Sequence, residues 1–154
     1  MIIYGHNSSD ITSKEEITIM QHNSGDLTCK DVEIKAHNSG DIEAQKVTID
    51  GHNSGDINAT KAIIKRHNSG DVTAVEVNIF GYNSGKVKGE KAVILKGYNS
   101  DEVVAPVIFY QDLEINQNKL SSMKQGEQIQ HGMTLTRIDA DLWKIEESGR
   151  VNEL

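Results

Sequence analysis

His37-Asn38-Ser39-Gly40-Asp41-Ile42-Glu43-Ala44-Gln45-Lys46-Val47-Thr48-Ile49-Asp50-Gly51 runs directly into His52-Asn53-Ser54-Gly55-Asp56-Ile57-Asn58-Ala59-Thr60-Lys61-Ala62-Ile63-Ile64-Lys65-Arg66. The second stretch repeats the first, with the same opening tetrapeptide and apolar residues at the same places. Outward from this pair, the frame recurs at His6, His22 and His67 and, with tyrosine leading, at Tyr82 and Tyr98. Successive starts are 16, 15, 15, 15, 15 and 16 residues apart. A fixed short period of this kind marks a repeat architecture in which each copy is one supersecondary unit.

Within a copy the apolar residues alternate. Ile42 and Ala44 form one period-2 pair, and Val47 and Ile49 form another across the polar Gln45-Lys46. Period 2 places side chains on one face of a strand, and no copy shows a helical period. Each copy therefore reads as two or three short strands joined by tight corners. One copy cannot bury its apolar face alone, but stacked copies can, each hydrogen-bonding to the rungs on either side. The sequence thus predicts an all-β parallel β-helix or solenoid of about seven 15-residue rungs. Rungs at a spacing of about 4.8 Å give a rod of roughly 34 Å. The expected interior column is Ile11, Leu27, Ile42, Ile57, Val72, Val87 and Val103, with the small residues Cys29, Ala44, Ala59, Ala74, Gly89 and Ala105 beside it where two walls come close. Ile3 stands three residues before His6, as Ile19 and Ile34 stand before His22 and His37, so it heads a further interior column.

The repeat ends near Pro106, the single proline, with Val107–Tyr110 completing the last rung. This divides the chain into a solenoid domain at 1–110 and a C-terminal capping or interaction segment at 111–154. Asp112 to Gln130 is polar, with Leu113, Leu120 and Met123 at near-helical spacing, and is expected to hold a short helix. Thr134–Ile138 and Leu142–Ile145 alternate and predict two short strands or a hairpin. The segment is expected to be a small α+β cap, because an open solenoid end is a row of unpaired strand edges. Its apolar residues are too few for an independent core. Leu120, Met123 and above all Trp143 are its candidate interaction residues.

Composition narrows the function. The apolar fraction of 36% suits a thin core one side chain deep. A net charge of −7 without basic clusters argues against a nucleic-acid partner. No stretch approaches the ~18 apolar residues that a membrane span requires, and no membrane partner is expected. The opening Met1-Ile2-Ile3-Tyr4 lacks the shape of a secretory leader. The single cysteine, Cys29, excludes an internal disulfide and, with that opening, points to the cytoplasm. Its place in the small-residue column makes it a packing residue.

Three polar columns are candidates for chemistry. Asn7, Asn23, Asn38, Asn53, Asn68, Asn83 and Asn99 share one position in every rung. Stacked asparagines can bond amide to amide along the axis and satisfy corner backbone, so they read as a structural ladder. The glycines that follow in most rungs, such as Gly40 and Gly55, supply the permissive backbone of a corner. His22, His37, His52 and His67 form a stripe that could share a surface Zn²⁺. Its continuation into Tyr82 and Tyr98 favours a stacked ring column instead, with pH sensitivity where histidines adjoin. Asp26, Asp41, Asp56 and Asp71 could suggest Ca²⁺, but the period is too long for Ca²⁺-binding β-rolls, and each carboxylate is expected to accept backbone N–H groups at its turn. No cofactor and no metal are therefore expected.

The string Gly40-Asp41-Ile42-Glu43-Ala44-Gln45-Lys46-Val47-Thr48-Ile49, with close variants from Gly55 and Gly70, resembles the bactofilins over about residues 1 to 109. The bactofilins are bacterial cytoskeletal proteins with a right-handed β-helical core. The resemblance implies nucleotide-independent polymerisation through end-to-end stacking of solenoids, hence a homo-oligomeric structural or scaffolding protein. The alternative is a protein-interaction module, for example a phage-type inhibitor or nucleic-acid mimic presenting its acidic face to a protein partner. An enzyme is not expected. β-Helical enzymes build their sites from long inserts between rungs, and no insert here exceeds one residue.

Overall fold

The computed structural model of the protein describes residues 1–111 in full and, beyond them, the backbone of residues 113–115, 133–139 and 142–147. Strands β1 (Ile2–Ile3), β3 (Ile17–Ile19), β5 (Asp31–Ile34), β6 (Ile42–Ile49), β7 (Ile57–Ile64), β8 (Val72–Ile79) and β9 (Val87–Leu95) pair in that order. Every one of these pairings is parallel and advances by one rung. Strands β2 (Ile11–Thr12) and β4 (Leu27–Thr28) stack on the first half of β6. The last rung is completed by β10 (Val103–Ala105) and β11 (Val107–Tyr110), both parallel to β9 and separated at Pro106. The described residues form the all-β parallel solenoid of seven rungs that the repeat predicts.

In the middle rungs the wall does not break at the polar pair as expected. Strands β6, β7 and β8 each run unbroken through eight residues. Gln45 and Lys46 are both exposed, and the inward phase slips by one residue across them, from Ile42 to Val47 and Ile49. The corner is thus a bend in a continuous strand, stabilised by the ladder bonds on either side. The one-residue insertions of the first and sixth rungs both fall at this corner. It separates β2 from β3, and a register irregularity marks it between β8 and β9. The third wall is a single residue wide, and the asparagines of successive rungs form parallel bridges with one another along it.

The core lies inside these three walls. The Ile57 column is buried from Leu27 to Val103, with Ile11 only partly so at the first rung. A second column is Ile17, Val32, Val47, Ala62, Val77, Val93 and Ile108. The third begins at Ile3, as its spacing predicts, passes through Ile19, Ile34, Ile49, Ile64, Ile79 and Leu95, and ends at Tyr110. The small-residue column lies at the rim of the core: Ala74 and Ala105 are buried, but Ala44 and Ala59 are only partly covered. Branched residues fill the columns because they suit a pleated surface buried on one side.

Beyond Tyr110 the chain turns back. Gln111 has a φ of 54°, the left-handed region, and Leu113–Ile115 (β12) pairs antiparallel with β11 in the register Tyr110↔Leu113. This corrects the helix expected from Asp112 onward at its beginning. The exposed edge of β11 offers unpaired N–H and C=O groups, and pairing with them outweighs three apolar residues at near-helical spacing. The remainder of that stretch, with Leu120 and Met123, lies outside the described residues. The expected hairpin is present as β13 (Met133–Asp139) and β14 (Leu142–Glu147), antiparallel to each other. Strand β14 pairs antiparallel with β10, Trp143 opposite Ala105. The C-terminal segment therefore covers both strands of the last rung. Among the described residues no helix is long and apolar enough to cross a membrane.

Candidate functional site

The repeated polar residues gather at the corners that flank the asparagine bridge. All seven asparagines are buried, at 0–6% exposure. Each of the first six donates Nδ2–H to Oδ1 of the next asparagine at 2.6–2.8 Å. The other Nδ2 hydrogen goes to the carbonyl two residues on in the same rung, as from Asn53 to Gly55 at 2.7 Å. Main-chain groups join too: Asn53 N–H donates to the His67 carbonyl, and Ser69 N–H donates to the Asn53 carbonyl. An amide side chain, with two donors and an acceptor, is what this one-residue wall requires. Leucine would fill the space but leave buried carbonyls unpaired.

The glycines of this corner owe their place to crowding. An added Cβ at Gly40, Gly55, Gly70 or Gly85 would lie 2.0 Å from the carbonyl oxygen of the preceding rung's glycine, and none of these residues has a φ in the left-handed region. The expectation of a permissive backbone is corrected to one of close approach. The first rung carries Ser9 there, the residue whose own carbonyl the Cβ of Gly25 would strike.

Asp10, Asp26, Asp41, Asp56 and Asp71 each accept, through Oδ1, the backbone N–H of the equivalent residue in the following rung at 2.8–3.0 Å. The carboxylates thus bond across rungs rather than within their own turns. Lys86 breaks the series, and the Glu102 N–H that would come next is taken by Oδ1 of Asp101 at 2.6 Å. Asp26, Asp41, Asp56 and Asp71 also line a shallow groove of about 460 Å³ with Glu43 and Thr73.

The imidazoles form the expected column, His6 included: His6, His22 and His37 stack within about 20° of parallel, and the His37–His52 and His52–His67 pairs are tilted by 45° and 47°. Ring centroids from His6 to His67 are 5.0, 4.9, 4.7 and 4.8 Å apart, and Tyr82 and Tyr98 continue the column. Nδ1 of His22 accepts the His37 N–H at 3.2 Å, and Nδ1 of His37 accepts the His52 N–H at 2.8 Å. Nδ1 of His67 accepts the Tyr82 N–H at 2.8 Å. An accepting Nδ1 is unprotonated, so the ring hydrogen sits on Nε2. A metal at Nε2 would send that hydrogen to Nδ1, where a backbone N–H already points. Among the described residues no three His, Cys, Asp or Glu side chains converge in a geometry that could hold a metal ion. Cys29 is buried, and burial, then Asp31, raises its thiol pKa.

Tyr110 is the residue that sequence reasoning undervalued. It is fully buried, ends the Ile19–Leu95 column, and its hydroxyl accepts the Asn99 N–H at 3.4 Å. In the preceding rungs that N–H bonds to the next rung's carbonyl, as Asn83 does to Tyr98. The signal was available: one aromatic closes a column otherwise made of Ile and Leu. Of the three candidate interaction residues, the backbone of Trp143 is placed on the last rung, and Leu120 and Met123 lie outside the described residues. No protein-family model, no curated protein and no solved structure matches the chain.

Proposed function

We propose that the protein is a non-enzymatic structural or scaffolding protein of the cytoplasm that self-associates through its solenoid, in the manner its resemblance to the bactofilins implies. One observation carries this reading. The polar residues that recur in the rungs make bonds between rungs: asparagine through its amide, aspartate through Oδ1, histidine through Nδ1. Asparagine, aspartate and histidine side chains so engaged tie each rung to the next and build a rod. The rungs also lack the long inserts from which solenoid enzymes assemble their sites.

A second reading, an interaction module that binds a basic protein partner, is favoured by the groove along Asp26, Asp41, Asp56 and Asp71. Sedimentation of the full chain over a wide concentration series separates the two. The structural reading expects mass to grow with concentration beyond a single chain. A monomer at every concentration would overturn it in favour of the interaction module.

A further inference from the structure

The histidine column joins two properties that neither the core nor the other corners possess. Its rings lie in a line at 4.7–5.0 Å between centroids from His6 to His67. At His22, His37 and His67 the ring nitrogen facing inward is the acceptor of a backbone N–H in the next rung. Glycine backbone closes against the same edge. A Cβ on Gly51 would lie 2.6 Å from Nδ1 of His37, and one on Gly81 would lie 2.9 Å from Nδ1 of His67. At His37 and His67 the Nδ1 edge therefore lies against the backbone of the next rung.

Protonation conflicts with this arrangement twice. A proton on Nδ1 turns an acceptor into a donor facing another donor, leaving a backbone N–H of the next rung unpaired. Neighbouring imidazolium ions would also stand about one rung, ~4.8 Å, apart, where like charges repel. The charged surroundings do not relieve this. His37 is flanked by His22 and His52, and the further charge bearing on it is the cation Arg66. Of the carboxylates in the rungs of His22 and His37, Glu33 is bound to Lys35, and Asp50 to Lys35 and Lys65. At the far end His67 meets Tyr82 edge-on.

We propose that the histidine column is an acid-operated release, which loosens the first five rungs of the solenoid and leaves the two tyrosine rungs closed. In support, burial, then His52, His22 and Arg66, hold the pKa of His37 below its ordinary value. The folded state then binds fewer protons than the unfolded chain. Its stability is full above the unfolded histidine pKa of about 6.5 and is lost as pH falls below it. Tyr82 and Tyr98 put no imidazole at this position of the column.

Amide hydrogen exchange on the full chain, corrected for intrinsic rates, tests the proposal between about pH 8 and about pH 5. Protection at the His37, His52 and Tyr82 amides, which donate to Nδ1, is expected to fall about tenfold or more. Protection at the Ser100 amide, which donates to the Asn83 carbonyl between the tyrosine rungs, is expected to hold. In the His22→Asn/His37→Asn double variant an amide oxygen stands near each Nδ1 position and does not titrate. The loss at residues 37 and 52 should there be abolished. Unchanged protection in the wild type, equal loss at Ser100, or the same loss in the double variant would each overturn the proposal.

Discussion

The hydroxyl of Tyr110 stands where an eighth rung would place a carbonyl, accepting the backbone N–H of Asn99 at 3.4 Å. The ladder that runs through the asparagines therefore ends on a side chain from its own last rung. Burial, which is the largest influence, raises the phenol pKa, so the group is a neutral O–H over the whole working range. Tyr110→Phe keeps the ring and leaves the Asn99 N–H buried without its acceptor. The expected cost is about 1 kcal/mol in denaturant unfolding, with the slope unchanged. Equal midpoints for the two proteins would mean that water takes the N–H and that the hydroxyl ends nothing.

Crowding between rungs makes a sharper prediction. A methyl at Gly55 would meet the Gly40 carbonyl oxygen at 2.0 Å, whereas one at Gly5 would meet nothing within 4 Å. Gly55→Ala should destabilise by about 3 kcal/mol, because neighbouring backbones cannot part without breaking ladder bonds. Gly5→Ala should change stability by no more than about 0.5 kcal/mol. Thermal unfolding of the pair decides it. Similar melting temperatures would show that rungs shift apart at little cost.

Both described strands of the last rung are covered by antiparallel strands of the C-terminal segment, Val104 facing Lys144 and Tyr110 facing Leu113. Uncovered, they would present an edge suited to another rung. Lys144→Pro removes a backbone donor from β14, which lies between β10 and β13. Light scattering at equal concentration should report a larger mean mass for this variant, and for a chain ending at residue 111, than for the full chain. A full chain that assembles while both variants stay small would make the segment the assembly device instead of a cap.

Much of this was readable in the residues themselves. The His37–Gly51 copy shows its strands by alternation, and the 15-residue period fixes which residues stack, so that Ile3 could be assigned to the Ile19 column. The inward asparagine ladder followed from the same register. Less legible was what a register alone does not determine. Which atom of His37 or Asp41 meets the next rung depends on the angle of the corner. The need for Gly55 lies in a carbonyl 15 residues earlier, and no local rule reports that distance. Leu113–Ile115 carries too few residues to show a period, and its strand is imposed by the edge it meets.

Asn53 and its equivalents are buried donors that join rung to rung. Asn53 donates to the Gly55 carbonyl and to Oδ1 of Asn68, and accepts from Asn38. Aspartate at this position keeps the shape, cannot donate, and sets a buried charge against two oxygens. Thermal unfolding at neutral pH of wild type, Asn53→Leu and Asn53→Asp is the most direct measurement. Asn53→Leu should fold with a loss of about 1–3 kcal/mol, and Asn53→Asp should lose about 3–5 kcal/mol, lowering the melting temperature by roughly 10 °C or more. An Asn53→Asp protein that melts with the wild type would place the side chain in water and contradict the ladder, and with it the register of the whole solenoid.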